Sequence, residues 1–145
     1  MIIELNKDQV NLLIRESRKE YPKEACGVLF GSVCKEKAYV KKIALLKNLL
    51  DSENRFQMDP TEFLRALLNA EKKGLQHIGF FHSHPLNTKP SAIDLEYMKL
   101  WPEIIWLIIS PLNCRMAAYQ IIDGHLREVS VKVKISDKCL KRNEK

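Results

Sequence analysis

The sequence has no apolar run that approaches the roughly 18 residues of a membrane-spanning helix. Its N-terminus lacks the basic start and the apolar stretch of a secretory signal peptide. The four cysteines form no C-x-x-C pair, which argues against a zinc ribbon or a thioredoxin-type motif. No internal repeat and no low-complexity segment is present. We therefore expect a single cytoplasmic domain whose cysteines are buried free thiols.

Negative charge is the scarcer sign, because 24 Lys and Arg face 18 Asp and Glu and give a net charge of +6. This balance is typical of a lysine-rich solvated surface, and it leaves open nucleic acid or an acidic protein as a partner. The polar, basic residues 136–145 predict a C-terminal tail that follows a domain over residues 1–135. A chain of 145 residues can bury a hydrophobic core without disulfides or structural metals.

Three helices are predicted from apolar spacing and capping residues. Asn6 caps the first helix, which continues to the residues before Pro22. Asp59 caps the second, with proline at the first helical position, and this helix stops at Gly74. The third helix begins at Ser91 and continues to about residue 100.

Six or seven strands are predicted between and after these helices. Residues 1–5 read as an edge strand, and the continuous apolar run 103–110 reads as a central strand covered on both faces. Asp123-Gly124 predicts a two-residue hairpin turn. The pattern is that of an α/β or α+β domain with a mixed sheet.

The segment GFFHSHPLNTKPSAID, residues 79–94, carries the candidate site. Residues two apart on a strand point to the same face, so His82 and His84 project together while Ser83 points away and is expected to be structural. Pro85 ends the strand, and Asp94 lies in the first turn of the next helix. Two histidines and one carboxylate form a catalytic zinc set that leaves the fourth position for water.

A capped helix without metal explains part of the same pattern. Ser-x-x-Asp is a helix-capping sequence, so Ser91 and Asp94 can cap the helix with no ion present. A metal-assisted hydrolase also needs a general base, and Glu24, just before the apolar stretch ACGVLFG, is the candidate. Taken alone, the position of Glu24 favours an ordinary surface residue over a general base.

The stretches EACGVLFG, FHSHP and PSAID, in this order, resemble the JAMM (MPN+) metalloprotease motif. The segment NLLDSENRFQMDPTEFLRAL is similar to one that small prokaryotic members carry, and the resemblance extends to about residue 133. It implies an MPN/JAB fold: a mixed, largely antiparallel sheet flanked by helices, with a cytidine-deaminase-like core. The family pattern has seven residues between the second histidine and the serine, whereas the loop 85–90 provides six.

The resemblance also implies a role for each motif residue. His82, His84 and Asp94 would bind one Zn2+ per chain, with water as the fourth ligand. Glu24 would act first as general base and then as general acid. Ser91 would help to hold the oxyanion of the tetrahedral intermediate.

Active members of the family cleave isopeptide or peptide bonds after the C-terminal glycine tail of ubiquitin or a ubiquitin-like protein. The small prokaryotic members resemble desampylases, which remove archaeal ubiquitin-like modifiers from lysines. We expect the tail to enter a groove between the loops 49–58 and 86–90, as an extended strand beside an exposed sheet edge. A net positive enzyme would suit an acidic modifier.

Several alternatives remain open. The substrate could be a sulfur-carrier protein with a similar tail, or the domain could be a non-enzymatic MPN scaffold, although inactive relatives have lost the ligands that are present here. A DNA-repair-associated family carries a related His-Asn-His-Pro motif, but this chain has Ser83 at the middle position. Zinc deaminases share the fold type, but their Pro-Cys-x-x-Cys motif is absent. A homodimer is compatible with the family, and the sequence does not specify one.

Overall fold

The structure is a computed structural model that describes residues 1–50 and 55–135. Its helices are Lys7–Glu20 (α1), Pro60–Lys72 (α2) and Ala92–Leu100 (α3). Its strands are Ile2–Asn6 (β1), Cys26–Cys34 (β2), Lys37–Leu46 (β3), Gln76–Ser83 (β4), Ile105–Ser110 (β5), Arg115–Ile122 (β6) and His125–Lys134 (β7). None of the described helices is long and apolar enough to cross a membrane. The predicted tail, 136–145, lies outside the described residues.

The strands close into a barrel in the order β1-β3-β2-β4-β5-β6-β7. The pairs β1–β3, β1–β7 and β4–β5 are parallel, and the pairs β2–β3, β2–β4, β5–β6 and β6–β7 are antiparallel. This confirms the mixed, largely antiparallel sheet. It also corrects one expectation, because β1 pairs with both β3 and β7 rather than forming an edge. Since β1 pairs with only Lys37–Tyr39 of β3, the docking of a substrate tail beside a sheet edge stays a prediction. The cytidine-deaminase-like core stays a prediction.

The predicted helix starts are confirmed by their caps. The Asn6 side chain accepts from the Gln9 N–H at 2.8 Å, and the Gln9 side chain accepts from the Asn6 N–H at 2.9 Å. These two bonds complete a capping box. The Asp59 carboxylate accepts from the Thr61 N–H at 2.8 Å, as expected of an N-cap residue. Just after α2, Gly74 adopts a φ of 72°, a conformation that ends helices and that glycine reaches without strain.

The predicted hairpin between β6 and β7 is also confirmed. Asp123 and Gly124 both have positive φ, at 52° and 78°. Two consecutive residues with positive φ form the turn whose twist matches that of the flanking strands. The turn therefore fixes the register of β6 against β7, the strand whose pairing with β1 closes the barrel.

Two hydrophobic cores lie on opposite faces of the barrel strands. The α1 core packs Leu13 of the first helix against inward-facing strand residues such as Leu29, Phe81 and Leu107. The aromatic core lies under α2 and α3 and consists of Val28, Phe30, Ala70, Phe80, Met98, Trp106, Ile108, Tyr119 and Ile121. Adjacent residues of β4 thus enter different cores, because successive side chains of a strand point to opposite faces.

The cysteines are only partly as expected. Cys26, Cys34 and Cys114 are free thiols, but only Cys26 is buried, whereas the other two are exposed. Burial, followed by the nearby Glu24 carboxylate, raises the pKa of the Cys26 thiol to about 12. Because the thiolate is the reactive form, this buried thiol is inert at neutral pH. Cys139 lies outside the described residues.

Candidate metal centre

The end of β4 places two histidines at one side of the barrel. His82 is the last but one residue of β4 and pairs with Cys26 of β2 and Ile108 of β5. His84 follows the strand and is held by its N–H, which donates to the Ile109 carbonyl at 2.9 Å. Both side chains are buried, and their ring centroids are 4.8 Å apart. The two rings therefore share one site, as their spacing in the sequence predicts.

The first turn of α3 brings Asp94 to both rings. Its Oδ2 atom lies 3.1 Å from Nε2 of His82 and 3.0 Å from Nε2 of His84. The same oxygen accepts from the Ser91 N–H at 2.9 Å, while the Ser91 hydroxyl accepts from the Asp94 N–H at 3.0 Å. Ser91 and Asp94 thus form the predicted capping box, and the carboxylate of that box also contacts both histidines. The six-residue loop is long enough for Asp94 to reach the histidines.

Glu24, which lies two residues before β2, is the fourth polar residue beside His82, His84 and Asp94. Its side chain has no exposed surface, and its Oε2 atom lies 3.9 Å from Nε2 of His84. Neither of its oxygens has a hydrogen-bond partner among the residues that the structure describes. One carboxylate oxygen of Glu24 and one ring nitrogen each of His82 and His84 lie within 4.8 Å of one another, which is close enough to hold a metal ion.

The carboxyl groups of Glu24 and Asp94 have opposite pKa shifts. Burial raises the pKa of Glu24 to about 8, and the negative charge of Asp94 adds to this rise while His84 opposes it. Burial also acts to raise the pKa of Asp94, but the hydrogen bonds from both histidines outweigh it and hold that pKa well below its usual range. A buried acid without partners favours its neutral form, and a hydrogen-bonded one favours its charged form. In the ion-free protein at neutral pH, Asp94 is therefore ionised and Glu24 is largely protonated.

The two histidines respond differently to the same surroundings. Burial lowers the pKa of His82, whose ring is fully enclosed. For His84, the hydrogen bond and charge of Asp94 overcome the effect of burial and raise the pKa. His84 also hydrogen-bonds the Lys89 backbone, a contact of the kind that orients a metal-binding imidazole.

The donor set and its spacing fit a metal ion. Two ligand atoms of a tetrahedral ion at about 2.0–2.1 Å stand roughly 3.3 Å apart. The distances between Asp94 Oδ2 and the imidazoles of His82 and His84 are close to this, at 3.1 and 3.0 Å. Buried polar atoms without partners are rare in folded proteins. Such atoms occur here on Glu24 and at Nδ1 of His82, next to the imidazole nitrogens that can bind a cation.

Ser83 has the structural role that was expected from its position on the other strand face. Its hydroxyl accepts from the Ala25 N–H at 2.8 Å, and its own N–H donates to the Ala25 carbonyl at 3.0 Å. These bonds join β4 to the residue that follows Glu24. They fix the distance between the chain that carries Glu24 and the strand that carries the histidines.

An aromatic wall next to His82 was not predicted from the sequence. The Phe56 ring stacks on His82 at a centroid distance of 4.8 Å, and the Trp106 ring lies edge-on to His82 at 6.1 Å. Both line a cavity of about 190 Å³ together with Gln57, Met58, Phe63, Phe80, Tyr97 and Trp101. Phe56 lies in the family-like segment 48–67, but no periodicity there indicates that its ring contacts a histidine.

One known protein family matches most of the chain. Residues 6–121 match the family described as prokaryotic homologs of the JAB domain. The chain belongs to this family. The matched range includes all five predicted site residues, and the match confirms the JAMM-type resemblance.

Relatives with assigned activities fall into two groups. A desampylase of Pyrococcus furiosus is 47% identical over 91 residues, which cover 60% of this chain and 59% of that protein, less than two-thirds of its length. A desampylase of Haloferax volcanii is 36% identical over 77% of this chain and 79% of that protein. A CysO-cysteine peptidase of Mycobacterium tuberculosis is 25% identical over 91% of both chains.

Solved structures show the same fold. A protein from Desulfitobacterium hafniense has a TM-score of 0.83 and 32% identity, and the match covers 93% of this chain and 94% of that one. A protein from Salinibacter ruber has a TM-score of 0.68 with 22% identity, and the match covers 94% of each chain. The second likeness bears on the fold alone.

Proposed function

We propose that this JAB-domain chain is a zinc-dependent metalloprotease that cleaves the isopeptide or peptide bond after the glycine tail of a ubiquitin-like modifier. The observation that carries the proposal is the meeting of Asp94 Oδ2 with both imidazoles, 3.1 and 3.0 Å away, beside the buried carboxyl group of Glu24. A structural cap explains the bond between Ser91 and Asp94. It does not explain why two histidines converge on the same oxygen while the buried Glu24 carboxyl group lies 3.9 Å from one of them.

His82, His84 and Asp94 are the proposed ligands, and Glu24 is the proposed base. A metal ligand must be deprotonated, and the low pKa of Asp94 supports that role. Glu24 is farther away, at 3.9 Å from His84, and neither of its oxygens has a hydrogen-bond partner in the described residues, so its carboxyl group is free to take up and return a proton. The two acids are therefore suited to different tasks.

In the proposed mechanism, bound zinc supplies a Lewis acid that polarises the amide carbonyl and acidifies a water molecule. Glu24, in its ionised form, takes one proton from the attacking water and delivers it to the leaving nitrogen. The amide C–N bond breaks and a C–O bond forms, which yields a carboxylic acid at the tail and a free amine; the acid then ionises and its proton passes to the amine. The Ser91 hydroxyl accepts from the Asp94 N–H, so its own hydrogen is available to donate to the oxyanion.

The relatives and the shape of the site together support this substrate class. Two relatives are desampylases, and the glycine tail would pass between the segment 55–58 and the loop 86–90. Met58 of this segment forms an isolated antiparallel bridge with Asn48. The net charge of +6 favours the approach of an acidic modifier.

A sulfur-carrier protein is the second candidate substrate. The CysO-cysteine peptidase matches over 91% of this chain, which is a larger share than either desampylase match. The chemistry at the centre would be unchanged, because in both cases an amide bond after a C-terminal tail is hydrolysed. The leaving group would be a cysteine rather than a lysine side chain.

The test is to measure metal content and cleavage on the same preparation. We expect one zinc per chain by mass spectrometry, and cleavage of a ubiquitin-like protein joined by its glycine tail to a lysine side chain. A chelator should stop the cleavage and added zinc should restore it. One zinc with cleavage only of a carrier–cysteine conjugate would favour the second candidate. Failure to bind zinc after reconstitution would refute the proposed function.

A further inference from the structure

Asn48 lies two residues after β3, and both the nitrogen and the oxygen of its carboxamide form hydrogen bonds. Its Nδ2 atom donates to the Glu24 carbonyl at 3.0 Å and to the Arg55 carbonyl at 3.2 Å. Its Oδ1 atom accepts from the Leu50 N–H at 2.9 Å and from the Gln57 N–H at 3.0 Å. A carboxamide has two donor hydrogens and two acceptor positions, so every hydrogen-bonding position of this side chain is filled.

Other asparagines show what an ordinary turn requires. Asn87 and Asn113 each accept from the N–H two residues further on, at 3.0 and 3.1 Å, which is a local turn contact. Asn48 makes the same contact with Leu50 and adds three bonds to more distant residues. Those three bonds are more than a turn needs.

One end of this network is the backbone of the proposed base. The Glu24 carboxylate has no hydrogen-bond partner in the described part of the chain, so its position depends on how its own main chain is held. Beyond Glu24, the reciprocal bonds between Ala25 and Ser83 hold the chain against β4. The Asn48 amide holds the Glu24 carbonyl itself.

The other end of the network is the segment that covers His82. Asn48 bonds Arg55 and Gln57, the residues on either side of Phe56, whose ring stacks on His82 with an interplanar angle of 27°. Packing on one face and Asp94 on Nε2 leave the imidazole little freedom. Asn48 therefore connects the chain that carries the base with the ring that packs on a proposed ligand.

We propose that Asn48 is a positioning residue for the reaction: its carboxamide fixes the Glu24 backbone and the Phe56 segment relative to each other. The kinetic part of this inference rests on the proposed function. A misplacement of about 1 Å in an active site can reduce turnover about 100-fold. Asn48 touches none of the reacting groups and acts through Glu24 and residues 55–57.

Two substitutions distinguish the role of the donor nitrogen of the Asn48 carboxamide from that of its acceptor oxygen. Asn48→Asp keeps acceptors for the Leu50 and Gln57 N–H groups but loses both donors and places a carboxylate oxygen against the Glu24 carbonyl. We expect kcat to fall by about 10- to 100-fold, with KM near the wild-type value and one zinc still bound. Asn48→Ala loses all four bonds, so KM should rise as well, because residues 55–57 are no longer held. Asn113→Asp, at a turn asparagine away from the site, is the matched control and should change neither constant.

A readout that needs no substrate keeps this test separate from the proposed function. The carboxyl 13C chemical shift of Glu24 should move in both Asn48 variants and stay in place in Asn113→Asp. If the wild-type chain cleaves no conjugate, the proposed function fails while the chemical shift still decides the role of Asn48. Unchanged kcat in an active enzyme, an unchanged Glu24 shift, or a loss of kcat that only follows the loss of folded protein would each overturn the inference. If Asn48→Ala does not fold, Asn48→Asp decides alone.

Discussion

The two faces of β4 use polar side chains in opposite ways. On the face of the α1 core, Ser83 lies beyond Phe81 and exchanges two hydrogen bonds with Ala25. On the other face, His82 lies beyond Phe80 and next to Glu24, and both Nδ1 of His82 and the two Glu24 oxygens are buried without partners in the described residues. His82 and Ser83 are adjacent in sequence, yet Ser83 stabilises the fold, whereas the burial of an unpartnered nitrogen on His82 destabilises it.

The difference shows that the end of β4 beside Glu24 is less stable than it would be if every buried polar atom had a partner. A buried polar group without a partner costs about 1–3 kcal/mol, and folded proteins retain such groups chiefly where they serve a ligand or a reaction. At the end of β4, Ser83 therefore joins β4 to Ala25, whereas His82 and Glu24 keep donors and acceptors available. Substitutions on the two faces should have different effects. Those on the face of His82 should change activity and metal binding, and those on the face of Ser83 should change the free energy of unfolding.

The largest effect is expected on the site face from Glu24→Gln. The amide has nearly the same shape but cannot carry the proton, so turnover should fall by about 10²- to 10⁴-fold, the usual contribution of a general base. Zinc content should stay at one per chain, because the proposed ligands are intact. Single-turnover cleavage and metal analysis of the same sample provide the measurement, and retained turnover would remove Glu24 from the mechanism.

Asp94→Asn should abolish tight metal binding while leaving helix α3 in place. The amide lacks the charge that holds the cation, and it can still accept from the Ser91 N–H. Metal content after dialysis is the measurement. Asp59→Asn, at the cap of α2, is the matched control and should keep its zinc, because Asp59 is not a proposed ligand. A variant of Asp94 that still binds one zinc tightly would show that the ligand set is wrong.

The sequence predicts the helices, strands and turns of this molecule better than it predicts the closure of the strands into a barrel. Strand alternation and the capping sequence indicate His82 and Asp94 as candidates, because each signal lies within a few residues of the chain. Glu24, taken alone, reads as a surface residue and becomes a candidate only together with the rest of the motif. Barrel closure depends on pairs such as Ile2 with Ser130, which no local pattern encodes. The bonds of Asn48 reach back to position 24 and forward to position 57, so its neighbours in the sequence do not reveal them.

On the α1 face, Ser83→Ala should change stability rather than metal binding. It leaves the buried Ala25 N–H without an acceptor, which should lower the free energy of unfolding by about 1–3 kcal/mol. Denaturant unfolding measures this change, and zinc content should be unaffected. Ser130→Ala, at an exposed serine on β7, is the control and should be close to neutral. Equal stability of the two variants would mean that the bond between Ser83 and Ala25 contributes little.

The smallest expected effect concerns His77, which shares the aromatic face but lies away from the metal centre. Its ring packs edge-on to Phe80 at 4.8 Å and to Trp101 at 5.7 Å, and its Nε2 bonds the Gly79 carbonyl at 3.1 Å. Burial lowers the pKa of His77 in the folded protein, and the bond to Gly79 only partly opposes this. The unfolded chain, with a pKa of about 6.5, therefore binds more protons as the pH falls.

The stability that neutral His77 contributes is thus fully present above about pH 6.5 and is lost as the pH falls below that value. His77→Gln keeps a donor for the Gly79 carbonyl but does not titrate, so the loss of unfolding free energy between pH 7 and pH 5 should be smaller than in the wild type. Denaturant unfolding with a chelator in every sample keeps metal release out of the comparison. His125→Gln, at an exposed histidine, controls for the substitution itself. Parallel pH profiles for the wild type and His77→Gln would show that this aromatic face tolerates a charged imidazole.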